Sequence, residues 1–187
     1  MGYIFETEHL KIRKFRREDA LSLYRNHLEE NVRKWIPNEC YGSLEEAESA
    51  AVFFEDRVNK GILPYVLAVE WKENSELIGD VGINEVAGKP EEVEIGYTVS
   101  QRYSGNGYAT ELLRAMTEFV SSTLGHHVLY GRVMRGNDAS VRVLEKTGMF
   151  LNGKSSLRKT IPTDMEYWYT KRSQNCEFCD LCYILLY

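Results

Sequence analysis

The chain switches repeatedly between two hydrophobic periods. Leu10-Lys11-Ile12-Arg13-Lys14-Phe15 alternates apolar and basic residues, the pattern of a half-buried strand. Asp19 is placed to cap a helix running to about Leu28, with Ala20, Leu23, Tyr24 and His27 along one face. Pro37 and Gly42 interrupt the chain, and Ser43-Leu44-Glu45-Glu46 is a capping box that opens a second helix. Tyr65 to Val69 predicts a strand, Glu73-Asn74-Ser75 a turn, and Leu77 to Ile83 the hairpin partner. Glu92 to Val99 predicts another strand. Ala109, Leu112, Leu113, Met116, Phe119 and Val120 fall on one face of a helix. His127 to Val133 predicts a strand, Ser140 to Thr147 a short helix stopped by Gly148, and Met165 to Thr170 a late strand. Strands come first, then helices crossing between strands, which predicts an α/β (α+β) domain on one central sheet.

The 187 residues suffice for one domain with a sizeable core, and neither repeats nor low-complexity linkers divide them. A net charge of -5 argues against a general nucleic-acid binder, and it requires any anionic ligand to be held by local donors. No apolar run approaches the roughly 18 residues of a membrane span. Met1 to Lys14 mixes charged and apolar residues unlike a signal peptide, and three of the four cysteines crowd at the C-terminus. The expected compartment is the cytoplasm.

The stretch Val99 to Thr110 carries the chemistry. A strand runs into a loop with Gly105 and Gly107, and a helix follows at once, so backbone N–H groups and the positive helix end converge as a pyrophosphate requires. The P-loop pattern fails for want of its lysine, and the dinucleotide-binding GxGxxG for want of its third glycine. The pattern R/Q-x-x-G-x-G/A is met in full by Arg102-Tyr103-Ser104-Gly105-Asn106-Gly107.

On that loop the chain resembles the GNAT N-acetyltransferase superfamily. A second segment, Asn137-Asp138-Ala139-Ser140 through Glu145-Lys146-Thr147-Gly148-Met149-Phe150, resembles the family's N-x-x-S-x-x-x-x-E-K-x-G-(F) segment and is most similar to the branch of ribosomal-protein N-terminal acetyltransferases (RimJ/RimL-like). Glu94-Ile95-Gly96-Tyr97-Thr98-Val99 resembles the strand that splays from its neighbour and opens a V for the acyl-thioester. The resemblance covers roughly residues 5 to 172. It implies a mixed, mostly antiparallel central sheet flanked by helices, with acetyl-CoA as cosubstrate and no metal. It implies a cofactor site at Tyr97, Thr98, Val99, Arg102, Ser104, Gly105, Asn106, Gly107, Tyr108, Ala109, Thr110, Asn137 and Ser140. Asn137 would bond the pantetheine arm and Ser140 would lie near the sulfur. Many members reprotonate the CoA thiolate with a tyrosine; the matching position here is Leu144, which shifts that role to Ser140.

A thioester needs little activation, so the site must mainly hold its carbonyl beside a neutral amine. Free N–H groups on a splayed strand would polarise the carbonyl. Glu94 is the first candidate for the base and Glu85 the second. The loop from Asn31 to Ser43 and the segment Leu151 to Thr163 are the expected acceptor walls, with aromatic surface from Trp35, Tyr41, Tyr103 and Trp168. Glu39, Glu85, Glu91, Glu92 and Glu94 favour a cationic acceptor: a protein N-terminus, a peptide or a polyamine. A catalytically silent acyl-CoA sensor is the rival reading. Residues 1–172 form the expected domain. The tail 173–187, with Cys176, Cys179 and Cys182, supplies too few ligands for zinc and is expected to pack on the domain or on a partner subunit in a homodimer.

Overall fold

The computed structural model describes residues 2–155 and 166–172. The C-terminal tail with its cysteines, and the acceptor wall beyond Ser155 up to Thr163, lie outside the described residues. The strands are β1 (Phe5–Glu6), β2 (Leu10–Arg13), β3 (Tyr65–Trp71), β4 (Leu77–Val86), β5 (Lys89–Val99), β6 (Val128–Met134), β7 (Phe150–Ser155) and β8 (Glu166–Arg172). They form one sheet in the order β1-β2-β3-β4-β5-β6-β8-β7, with β5 and β6 parallel and the other neighbours antiparallel. The helices are α1 (Ala20–Leu28), α2 (Glu30–Trp35), α3 (Leu44–Lys60), α4 (Tyr108–Ser122) and α5 (Asp138–Lys146).

Alternation within the strands sends side chains to two cores. Val81, Ile83, Val93, Ile95 and Leu129 join Leu112, Leu113 and Met116 of α4 and Leu144 of α5 in the larger one. Ala68 and Leu77 pack with Phe15, Leu23 of α1, and Ala47 and Ala51 of α3 in the smaller. Among the described residues, the single parallel pair is the one that needs a crossover, and α4 supplies it.

Three local expectations change. Asp19 does not cap α1 with its side chain. Its carboxylate instead receives both ends of the buried Arg13 fork, at 2.7 and 2.9 Å, and the Arg16 N–H at 2.8 Å. Arg13 Nε also donates to Glu70 Oε2 at 2.8 Å, so the basic side of β2 ends in a buried ion network rather than in water. The Ser43 box forms by half: Ser43 Oγ accepts from Glu46 N–H at 3.2 Å, but Glu46 accepts from Gly42 N–H. The stretch expected as a loop from Asn31 to Ser43 contains most of α2 and a 3-10 turn at Pro37–Glu39.

Candidate active site

A 3-10 turn at Gln101–Tyr103 follows β5, and Gly107 is the residue before α4. Gly105 and Gly107 have φ of +84° and +88°, a backbone that only glycine adopts cheaply. A Cβ on either would meet nothing within 4 Å, so the space beside the loop is open. Gly107 O accepts the N–H groups of Thr110 and Glu111. Among the described residues, those from Gly105 to Ala109 have no acceptor, and they sit at the positive end of α4. The loop fits a pyrophosphate by its geometry and donor set. Asn106 Nδ2 braces it by donating to Tyr103 O at 3.1 Å, while Ser104 is exposed and the exposed Arg102 lies 3.4 Å from Glu76. Tyr103 is not acceptor surface: it is buried edge-on against Trp71, and its hydroxyl donates to Glu76.

β5 and β6 pair from Glu92↔Val128 to Glu94↔Tyr130 and then part, although both strands continue, to Val99 and Met134. The V expected around Glu94 to Val99 is therefore present. On one face of the sheet the first turn of α5 closes on it. Asn137 Oδ1 accepts from Ser140 N–H at 3.1 Å, and the hydroxyls of Tyr97 and Ser140 lie 3.2 Å apart. Leu144 is 2% exposed and packs so tightly on Gly131 that a Cβ there would lie 3.0 Å from its Cδ2. On the other face Arg132 Nε donates to Glu94 Oε1 at 3.0 Å, beside an exposed Gly96 where a Cβ would meet nothing within 4 Å. Glu85 pairs with Val93 in register, which sets it on the opposite face from Glu94. The structure brings Glu94, Gly96 and Arg132 together and leaves Glu85 apart.

The corner between α1 and α2 spans the mouth of the V. Glu29 accepts from Ser100 Oγ at 2.7 Å and from Gln101 N–H at 2.6 Å, and Asn31 Nδ2 donates to Val99 O at 3.4 Å. These bonds grip the end of β5. Trp35 reaches the other arm, where its Cη2 would lie 3.8 Å from a Cβ on Gly136, the residue before Asn137.

Beneath this corner lies a polar cluster that the one-dimensional pattern does not show. His27 is 4% exposed; its Nε2 lies 2.9 Å from Asp80 Oδ2, its Nδ1 2.9 Å from the Glu39 carbonyl, and its ring 4.9 Å from that of Tyr41. Thr98 Oγ1 also donates to Asp80 Oδ2, at 2.6 Å. Both imidazole partners are acceptors, and only the imidazolium donates at both nitrogens. Burial by itself lowers the pKa of His27, but the Asp80 hydrogen bond and charge and the Glu39 carbonyl together raise it above the ordinary 6.5. The stability it contributes is fully present below 6.5 and is lost as pH rises through the raised folded value. The difference in melting temperature between the protein and His27→Gln should therefore shrink with rising pH across that window. A difference independent of pH would mean that His27 is neutral.

Of the predicted aromatic walls, Trp35 lines the mouth, Tyr41 packs on His27, and the side chain of Trp168 lies outside what the structure describes. Among the described residues, no group of three or more His, Cys, Asp or Glu is placed to hold a metal, and no helix is long and apolar enough to cross a membrane.

A family profile for the acetyltransferase (GNAT) domain matches residues 9–150. The chain is 30% identical over 155 residues to an uncharacterised N-acetyltransferase of Bacillus subtilis (strain 168), YoaA, covering 80% of this chain and 84% of that one. Its structure is similar to that of a GNAT-family acetyltransferase from Bacillus anthracis, with a TM-score of 0.74 and 25% identity over 89% of this chain and 96% of that one. It also shares the fold of the ribosomal-protein-S5-alanine acetyltransferase from Vibrio fischeri, with a TM-score of 0.79 and 18% identity over 91% and 97% of the two chains.

Proposed function

The chain belongs to the GNAT acetyltransferase family, enzymes that take their acetyl group from acetyl-CoA, and we propose that it delivers that group to the α-amine of a protein or peptide by direct attack in a ternary complex. The observation that carries this reading is the V between β5 and β6, with an anion-binding loop at one arm and a carboxylate beside an open floor at the other face.

In this reading the CoA pyrophosphate takes the N–H groups from Gly105 to Ala109. The pantetheine arm runs along Tyr97, Thr98 and Val99, where β5 has lost its partner, and bonds Asn137. The thioester carbonyl then lies in the V against unpaired backbone N–H groups that stabilise the oxyanion. The acceptor enters over Gly96, and Glu94 takes its proton through a water. Ser140 donates to the departing sulfur.

Amine chemistry favours an N-terminus over a lysine side chain. A carboxylate is a weak base, and an α-amine with a pKa of about 7.7–8.0 is already tens of per cent neutral near pH 7.4. A lysine is neutral to only about one part in a thousand there. The motifs that resemble the RimJ/RimL-like branch support this choice. The cytoplasm is the proposed compartment, and a homodimer through the tail the proposed assembly.

Free-thiol release from acetyl-CoA, followed with separate pools of N-terminal peptides, polyamines and aminoglycosides, tests the acceptor. Release with peptides alone supports the reading, and release with polyamines alone overturns it. Glu94→Gln should lower kcat/KM about 100-fold while CoA affinity by calorimetry stays unchanged. An unchanged kcat/KM would remove Glu94 from the mechanism.

A further inference from the structure

Tyr97 lies on the part of β5 that has left β6, and its hydroxyl has a partner on a different element, the first turn of α5. Among the described residues, the Tyr97 phenol has one hydrogen-bonding neighbour, Ser140 Oγ at 3.2 Å, and the Ser140 hydroxyl has no other. Each hydroxyl carries one hydrogen, so one of the two donates to the other and one hydrogen is left over. A phenol is the stronger donor and an aliphatic hydroxyl the stronger acceptor. The chemistry therefore favours Tyr97 O–H donating to Ser140 Oγ, with the serine hydrogen left to turn elsewhere.

We propose that Tyr97 is a positioning residue for acetyl transfer, whose phenol donates to Ser140 Oγ and so directs the serine hydrogen at the CoA sulfur. The inference rests on the reading of Ser140 as donor to the sulfur. When the tetrahedral intermediate collapses, the C–S bond breaks and its electron pair stays on sulfur. The thiolate is held by the Ser140 hydrogen, and the proton it finally takes equals the one the acceptor nitrogen has lost. No proton leaves Tyr97. Its contribution is to orient and polarise the serine, since donors in a chain strengthen one another in a water-poor site.

Two further observations fit. Leu144 is sealed in the core against Gly131, so no donor at that position competes for the task. Burial holds the Tyr97 phenol above its ordinary pKa of 10, so it stays protonated and able to donate over the whole working range.

The test is a double-substitution cycle read in two ways. The first readout needs no acceptor: the pKa of the thiol in bound CoA, followed by thiolate absorbance against a desulfo-CoA control. Tyr97→Phe should raise that pKa by about 0.5–1 unit, Ser140→Ala should raise it at least as much, and the double variant should match Ser140→Ala. The second readout is turnover of acetyl-CoA with N-terminal peptides, in which Tyr97→Phe should lower kcat about 10-fold at unchanged KM for acetyl-CoA. Melting temperatures confirm that the variants fold. A thiol pKa that Tyr97→Phe does not move overturns the proposal, as do effects of the two substitutions that simply add. If Ser140→Ala itself leaves the thiol pKa and kcat unchanged, the reading of Ser140 fails and takes this inference with it. If Ser140→Ala has its effect and Tyr97→Phe has none, only the inference fails.

Discussion

Replacing Arg13 with methionine should cost about 3–5 kcal/mol of folding free energy, the range for breaking a buried ion network by removing one partner. Arg13 donates two bonds to Asp19 and one to Glu70, and all three side chains are nearly sealed, at 5%, 10% and 7% exposed. Methionine fills most of the volume but strips the guanidinium from both carboxylates, and among the described residues only Lys11 lies near Glu70, at 3.9 Å. Desolvated charge without a partner, rather than lost packing, sets the magnitude. Arg13→Lys keeps the charge and loses the fork, so it should fall between the two. Urea denaturation would read both as shifts of the midpoint at constant slope. A methionine variant within about 1 kcal/mol of the parent would mean that water reaches the network.

The second large effect concerns ligand binding. Gly107→Asp should weaken CoA affinity at least about 100-fold, equivalent to about 2.7 kcal/mol, while the protein still folds. Aspartate visits the left-handed backbone more readily than most residues but is still strained at φ +88°, and the asparagine control carries the same strain. Its carboxylate would stand in the open space beside unpartnered N–H groups, at the proposed pyrophosphate site, and repel that group. Gly107→Asn is the control, with the same shape and no charge, and should lose far less. Calorimetric titration of CoA into the two variants separates them. Equal losses would attribute the effect to backbone and shape instead of charge.

The contrast between these sites shows what a single sequence reveals. The glycine loop proposed to hold the pyrophosphate is legible because its determinants are local: two glycines, a strand before and a helix period after. Asn137 and Ser140 are legible for the same reason, three residues apart at one helix start. Arg13 is not, because alternation marks it as the polar side of a strand and cannot tell water from Glu70, 57 residues away. His27 reads as part of the buried face of α1, but its pairing with Asp80 joins positions 53 apart. The helix Glu30–Trp35 is short and starts without a side-chain cap, so neither length nor a start signal marks it. Glu94 falls in the strand that the motif marks, yet its contact with Arg132 exists only once β5 and β6 lie side by side.

The corner between α1 and α2 holds one arm of the V through Glu29 and Asn31 and touches the other through Trp35. A donor that fills the V and an acceptor that packs against this corner thus act on one shared element. Free-energy linkage then requires reciprocity: whatever factor the donor gives to acceptor affinity, the acceptor must give back to donor affinity. Glu29 is placed to carry such an exchange, because its two oxygens accept from Ser100 Oγ and Gln101 N–H in the turn that leads into the Gly105–Gly107 loop. Cutting those bonds should weaken the exchange, while Asn31 and Trp35 still join the corner to the two arms.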